Sequence, residues 1–550
     1  MGQACGLKSR ICPADDPRPQ LVEWLSLGID PMSSDLHTDR APLVFNDQNK
    51  SSETQAFAFP ALWIRWAVFL LLALLGLLLR LPQLGERPMH TDEAVNAYIV
   101  GQLLAGKPFT YDPHDRHGPA LAALALPLAR MQGAKAFSGL TESELRLTTV
   151  MAGSVTILLF GAAVEIFGFA PCLIAALLFA GAPLPVYYDR YFIHESIFAA
   201  ATFGLILAGW QAWRRHSMGH AMLAGACAAL MLASKETAVL HFLALALAIF
   251  VFWTWNLRGK YPGALWQPKI MLVAAAAFLL LSVPLFTWFG SNWKALGALL
   301  ESAPNFLARA HGEGHQEPAS YYFRLITAGW SGGLIFILAC TGIFQTVRQR
   351  GPSPYGFLAF YALFVAVVYS SIPYKTPWLT LNFWLPIALF AGQAVESLWR
   401  MQAKYPTLSS PIRTGCILVA AVTVALIVHD TRLRVFVSPA DETNPYAYAH
   451  TSEDLLGLPL EVERLAHESR LAAPRIAVIA FDPWPLPWYL RHYSEVGFWQ
   501  PGQQPAKADF YITSTEAAEQ YGEVLKDFRP QFFGVRPGVL TLLWSPAPKE

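Results

Sequence analysis

The sequence predicts an all-α polytopic membrane protein of about eleven transmembrane helices, with a small α/β domain at its C-terminal end. Three observations predict it. The 550 residues are 54% hydrophobic and only 14% charged, where a soluble chain carries about 25% charged residues, and the mean hydropathy is +0.35. Apolar residues run on continuously rather than at amphipathic spacing, as in helices whose outer faces touch lipid. After residue 430 the pattern changes to short β-rich runs separated by turns.

Hydrocarbon about 30 Å thick needs a helix of about twenty apolar residues. Spans fall near 62–81, 147–165, 170–187, 197–213, 220–234, 238–256, 270–289, 329–346, 356–372, 378–398 and 413–430. The preceding residues 1–60 read as a poorly ordered cytoplasmic tail without a cleavable signal pattern, so 62–81 is a retained span. The transmembrane domain covers 61–430, with a first outer loop at 82–146. Residues 431–550 form the α/β domain: "RIAVIA" (475–480), "ADFYITS" (508–514) and "GVLTLLW" (538–544) read as strands, "PWYLRHY" (487–493) and "EAAEQYGEVLKDF" (516–528) as helices.

Sidedness follows from the loops. "WRRHSMGH" (213–220), "NLRGKYPGALWQPK" (256–269), "VRQRGPSP" (347–354) and "WRMQAKYPTLSSPIR" (399–413) are basic and hold no acidic residue, which makes them cytoplasmic. The N-terminus is then inside and the C-terminal domain extracytoplasmic, in a plasma (inner) membrane protein. Lys+Arg 40 against Asp+Glu 39 leaves net +1 and gives no footing for a nucleic-acid partner. Cys172, Cys227, Cys340 and Cys416 lie in apolar runs and no C-x-x-C occurs, so neither a disulfide framework nor a cysteine metal site is expected.

The outer loops collect ionisable groups. "RPMHTDEAVNAY" (87–98) places Asp92-Glu93 just after the first span, where Thr91 can cap a helix. "HDRHGP" (114–119) adds Asp115 and His117; "YYDRYFIHES" (187–196) adds Asp189, Arg190, His194 and Glu195; "SKETA" adds Lys235 and Glu236; "PYKTPW" adds Lys375. Plainer roles exist for each: helix capping for Asp92 and Glu93, snorkelling for Lys235, an interfacial anchor with Trp378 for Lys375. Their concentration on the face that the positive-inside rule depletes of cations favours a site. Carboxylates suit proton abstraction or metal binding, and cations suit a phosphate. A lipid-linked phosphosugar, with its tail in the bilayer and its phosphate at the interface, has the matching form.

At these residues the chain resembles the GT-C membrane glycosyltransferases, the superfamily of dolichyl-phosphate-mannose–protein mannosyltransferases and aminoarabinose transferases. More narrowly, "HTDEA", "HGPAL", "YDRYFIHE", "SKET", "YKTPWL" and "NPYAYAHTS" (444–452) are similar to the flippase-activity-associated membrane protein family of archaeal-type N-glycosylation. The resemblance implies a GT-C fold, with Asp92 as catalytic base ahead of Glu93. It matches Arg190 with Glu195 to an Arg-and-acid motif, and sets His117 where relatives carry a Lys-Pro-Pro sequence.

The expected activity is inverting transfer of a sugar from a polyprenyl-phosphate donor to a glycan, lipid or protein acceptor. Arg190, Lys235, His117 and Lys375 are the donor-phosphate candidates. His90, Asp115, Asp189, His194, Glu195 and Glu236 are supporting, acceptor or metal candidates, and a divalent cation, Mg or Mn, is a candidate cofactor. "FDPWPLPWYLR" (481–491) offers aromatics to an acceptor or to the core. The competing classes are a lipid-linked oligosaccharide flippase and a flippase-associated non-catalytic subunit. Most charges lie at span ends rather than mid-membrane, and no internal repeat is evident, which favours the enzyme.

Overall fold

A computed structural model describes residues 61–113, 117–256, 267–311, 316–349 and 353–547. The expected tail 1–60 and the candidate Asp115 lie outside the described residues. The first helices are α1 (Leu62–Arg80), α2 (Thr91–Leu104), α3 (Ala120–Met131), α4 (Glu142–Phe167), α5 (Phe169–Gly181), α6 (Pro183–Asp189), α7 (Glu195–Arg215), α8 (Met218–Ser234) and α9 (Ala238–Val251). Further long helices run Pro268–Phe286, Gly329–Arg348, Pro354–Ser371, Leu381–Lys404 and Ser409–Thr431.

Among the described residues eight helices are long and apolar enough to cross a membrane, or nine if α5 and α6 form one bent span. Their 58° bend falls at Ala182-Pro183, where proline cannot continue the hydrogen-bond ladder of the preceding helix. The two remaining expected spans, Met218–Ser234 and Ala238–Thr254, are shorter apolar helices. At 1.5 Å per residue α8 reaches about 25 Å, less than a full hydrocarbon core.

Arginines mark both ends of α1 because each meets a carboxylate. Arg65 lies 3.4 Å from Glu165 of α4, and Arg80 lies 2.9 Å from Asp189. Gly153 makes room for that second pair, since a Cβ there would sit 2.1 Å from the Asp189 carboxylate. Both members of the Arg80–Asp189 pair are fully buried, where an ion pair survives only with its remaining donors satisfied. Arg80 also donates to the carbonyls of Gly76, Phe179 and Ala180.

The C-terminal sheet contains β1 (Ile476–Ile479), β2 (Val496–Trp499), β3 (Phe510–Ser514), β4 (Phe528–Arg536) and β5 (Val539–Pro546), in the order β2-β1-β3-β5-β4. β1 runs parallel to β2 and β3, while β5 is antiparallel to β3 and β4. Three strands match the expected ones. The stretch expected as one helix over 516–528 is instead two short helices, Thr515–Gln520 and Gly522–Leu525, and Phe528 opens β4. The break falls at Tyr521, next to Gly522, a poor helix former.

Along β1, Ile476 and Val478 face one core while Ala477 and Ile479 face another, the period of two that a strand dictates. The first of these cores is continuous with the loop between α1 and α4. Val478, Phe510, Val462 and the fully buried Trp488 pack in one cluster with Ala97 and Val100 of α2 and Leu121 of α3. Burying each large apolar side chain contributes about 1.5–3 kcal/mol. The sheet therefore closes directly on the helices that follow the first span.

Candidate active site

The segment Met89–Glu93 is held by residues distant in sequence. His90, not the expected Thr91, is the N-cap of α2. Its Nδ1 accepts the Asp92 N–H at 3.1 Å, and Glu93 returns the bond by accepting the His90 N–H at 3.0 Å. Because Nδ1 accepts, Nε2 carries the proton and donates to the Tyr448 carbonyl at 3.2 Å. Burial, above all, holds the His90 pKa below the usual value. The motif "NPYAYAHTS" is the other half of this clamp: the Thr451 hydroxyl donates to the Met89 carbonyl at 2.7 Å, and the Tyr191 hydroxyl meets His450 Nδ1 at 2.7 Å.

The two adjacent carboxylates part company here. Glu93, expected as a second catalytic group, is fully buried. Arg146 of α4 donates to both its oxygens at 2.8 Å, and the Phe192 N–H donates to it at 2.8 Å. Burial favours its neutral form, but Arg146 and then Arg87 outweigh that and hold its pKa well below the carboxylate range. Glu93 ties α2 to α4 and faces neither of the cavities described next.

Asp92 is exposed, and among the described residues its carboxylate has no hydrogen-bond partner. It lines two adjoining cavities. One, of about 390 Å³, is bounded by Asp92, Asn96, His194, Glu195, Asp482 and Trp484 among others. The other, of about 130 Å³, reaches Glu236, Thr237, Tyr369 and Leu379. Asp92, His117, Lys235, Tyr374 and Trp378 line both. On α2, Asp92, Val95, Asn96 and Ile99 face the larger cavity, the i, i+3, i+4, i+7 spacing of one helical face.

Several of the predicted groups meet here. Lys235 Nζ bonds Glu195 Oε1 at 2.5 Å. His117 Nδ1 lies 2.8 Å from Glu236 Oε2, and the Tyr111 hydroxyl donates to Glu236 Oε1 at 2.7 Å. Burial opposes the charge on Glu236, yet His117 and these hydrogen bonds bring its pKa down to about 2. The "HGP" motif makes this possible, because Gly118 lies against the end of α8, where a Cβ would come within 2.2 Å of the Ala233 carbonyl. His194 packs edge-on against His117 with ring centroids 5.2 Å apart.

Others of the predicted set stand away from both cavities. Arg190 donates to the carbonyls of Arg80, Pro82 and Gln83 at 2.8, 2.5 and 3.0 Å. It thereby satisfies the backbone acceptors that α1 and its exit turn leave open. Asp189 is spent on Arg80 and the Ser196 hydroxyl. Lys375 donates to the Glu317 carbonyl at 3.0 Å and to the Ile372 carbonyl. Its neighbours Tyr374, Thr376 and Trp378, not its ammonium, reach the site. His90 lines neither cavity; it caps α2, bonds the Tyr448 carbonyl and packs edge-on against Trp378. Among the described residues no group of three or more His, Cys, Asp or Glu is placed to hold a metal ion; Glu93, Glu195 and Glu236 are paired with Arg146, Lys235 and His117.

Three further residues reach the cavities or stand behind them. Asp482 and Trp484 reach the larger cavity from the sheet domain; their motif was visible, their destination was not. His241, buried in α9, bridges the Tyr361 and Tyr369 hydroxyls at 2.7 and 3.0 Å behind the smaller cavity. A lone histidine in an apolar run carried no signal.

Residues 131–288 match the profile of the family described as dolichyl-phosphate-mannose-protein mannosyltransferase. None of the curated proteins matches the chain by sequence. In three dimensions it is similar to ArnT from Cupriavidus metallidurans bound to undecaprenyl phosphate, with a TM-score of 0.61 at 14% identity over 88% of this chain and 98% of that one. It is also similar to the oligosaccharyltransferase AglB from Archaeoglobus fulgidus in complex with an inhibitory peptide and a dolichol-phosphate, with a TM-score of 0.56 at 13% identity over 88% and 74%.

The chain has a GT-C fold.

The matches show this fold and do not reach the narrower flippase-associated family. The profile match to this GT-C chain takes in Glu195, Lys235 and Glu236 but stops short of Asp92 and of the sheet domain. The GT-C architecture is that of a multi-pass membrane protein, with the cavities at the end of the helices that carries the sheet.

Proposed function

We propose that the chain is an inverting glycosyltransferase that moves a sugar from a polyprenyl-phosphate donor to an acceptor on the extracytoplasmic side. The observation that carries this reading is the Asp92 carboxylate, exposed and unengaged among the described residues where two cavities meet. The donor class is supported by two neighbours of the same fold whose structures hold undecaprenyl phosphate and dolichol-phosphate. The basic loops support the orientation.

In this reading the donor phosphate and its sugar enter from the smaller cavity, and the acceptor enters the larger. Asp92 accepts the proton of the acceptor hydroxyl as its oxygen attacks the anomeric carbon. The bond from that carbon to the phosphate oxygen breaks, and its electron pair leaves with the phosphate. Polyprenyl phosphate is a stable anion and needs no general acid, so one base suffices where a glycosidase uses two carboxylates. A single displacement inverts the anomeric centre. Lys235, the one lysine or arginine lining either cavity among the described residues, stabilises the charge that grows on the phosphate.

The test is transfer of labelled sugar from a polyprenyl-phosphate hexose in proteoliposomes of the full chain. Transfer that disappears in Asp92→Asn while the protein stays folded supports the reading. Full transfer by that variant overturns it.

A further inference from the structure

The larger cavity has a composition that selects among acceptors. Its lining includes the carboxylates of Asp92, Glu195 and Asp482, a single lysine already bonded to Glu195, and no arginine among the described residues. Arg536 stands 3.8 Å from Asp482 and balances that carboxylate from outside the lining. An anionic acceptor would meet unmatched carboxylate charge there. A neutral one would find acceptors for its hydroxyl protons.

The roof comes from the loop after β1, "FDPWPLP" (481–487). Asp482 Oδ1 accepts the Trp484 N–H at 3.2 Å and so holds the turn. The Trp484 indole stands edge-on to Tyr98, centroids 5.8 Å apart. Tyr98 belongs to α2, the helix that carries Asp92, and is braced in turn by Phe137 at 5.5 Å. Trp484 is half-buried, while Trp488 four residues later is wholly in the core. The two tryptophans of the motif thus divide its expected roles between cavity and core. Pro483, Pro485 and Pro487 leave this loop few N–H donors. It is poorly suited to pair with an extended peptide strand, the usual main-chain mode of peptide capture.

An aromatic face beside carboxylates, with backbone donors removed, suits a sugar ring, whose apolar C–H face packs on indole while its hydroxyls bond the acids. We infer that Asp482 and Trp484 form an acceptor subsite for a neutral saccharide, and that the group receiving the transferred sugar is a ring hydroxyl rather than a peptide side chain or a phosphate. This rests on the transferase reading, and binding without turnover tests it separately.

The experiment uses the full chain in detergent micelles and reads saturation-transfer NMR to three probes: a neutral nitrophenyl hexopyranoside, its 6-phosphate, and a Ser/Thr-containing peptide. Wild type is expected to bind the neutral glycoside in preference to the others. Trp484→Ala should weaken that binding about tenfold, in line with loss of one aromatic contact, while Trp484→Phe recovers most of it. Asp482→Asn should weaken it less, and binding of polyprenyl phosphate should be unchanged in all three variants. Asp92→Asn should still bind the glycoside while failing to transfer. Glycoside binding that survives Trp484→Ala and Asp482→Asn together overturns the subsite, as does a wild-type preference for peptide or phosphorylated sugar. If instead Asp92→Asn transfers normally, the transferase mechanism fails while the binding result stands on its own. Should Trp484→Ala not fold, Trp484→Leu, which keeps an apolar side chain but no aromatic face, takes its place with the same expected loss, and glycoside binding that survives Trp484→Leu and Asp482→Asn together overturns the subsite.

Discussion

Asp92 and Glu93 are chain neighbours with opposite fates: one carboxylate is open to both cavities, and the other is fully buried against Arg146 with both oxygens bonded at 2.8 Å. In the proposed reading the pair separates chemistry from architecture within two residues. Asp92→Asn is expected to insert and purify normally and to lose about 10²–10⁴-fold or more of its transfer rate. Glu93→Gln is expected to fail earlier. It leaves Arg146 and Arg87 with unmatched buried charge, a loss of about 3–5 kcal/mol. Thermal unfolding followed by fluorescence-detected size exclusion separates the two outcomes.

His90 is expected to act as a positioning residue for Asp92. Removing its ring in His90→Ala takes away a cap worth about 1 kcal/mol and the tie to Tyr448. The expected result is a lower kcat with little change in KM for the donor. His90→Asn keeps a side-chain acceptor for the Asp92 N–H and should restore part of kcat. Equal kcat in wild type and His90→Ala would remove the positioning role.

Lys235 and Glu195 form a testable couple. Lys235→Ala is expected to lower transfer about 10²-fold, and Lys235→Arg less. The same Ala variant leaves Glu195 buried without its cation, so stability falls as well. Changing both residues to Ala should restore stability but not transfer. Recovery of both would make Lys235 a purely structural group. The double-mutant cycle isolates the coupling.

Glu236 gives a pH signature. Its pKa falls from 4.5 in the unfolded chain to about 2 in the folded one, so its ionised form favours the fold. That stabilisation is complete above about pH 4.5 and is lost as pH drops toward 2. Melting temperature measured between pH 2 and 6 should fall across this window, and Glu236→Gln should flatten that part of the curve. An unchanged slope in the variant would mean that the His117–Glu236 bond contributes nothing to acid stability.

Sidedness is open to direct labelling. In a background without native cysteines, Gly219→Cys should be shielded from an impermeant thiol reagent in intact cells and Ser494→Cys should react. Both positions are exposed. The reverse pattern would invert the topology and place the cavities in the cytoplasm.

The spans were readable because each is an uninterrupted apolar run, and lipid leaves a helix no alternative for its backbone polar groups. The short strands were less so. β2 is four residues long, and β4 carries Pro530 and Gly534 within it, so neither shows the alternation that marks a strand. At the site, Asp92, Lys235 and Glu236 were read from charges at span ends and His117 from the first outer loop, and one cavity brings the four together. Arg190, Asp189 and Lys375 gave the same signal from the same kind of position. What differs is the partner that the fold brings to them, a carbonyl or an arginine from elsewhere in the chain, and no local pattern records that. Asp482 and Trp484 show the converse: nothing near them in sequence says that they end beside Asp92.

That roof has a consequence for biosynthesis. Asp92 leaves the ribosome and enters the membrane early, but residues 482–484 that complete its cavity, and Tyr489 that bonds the Met89 N–H at 2.8 Å, follow hundreds of residues later. A nascent chain can therefore insert its first helices and expose Asp92 before the residues that roof its cavity have been made. The cavity beside Asp92 is complete only once the sheet has folded against α2, so closure of the pocket waits on a segment made long after the one that it covers.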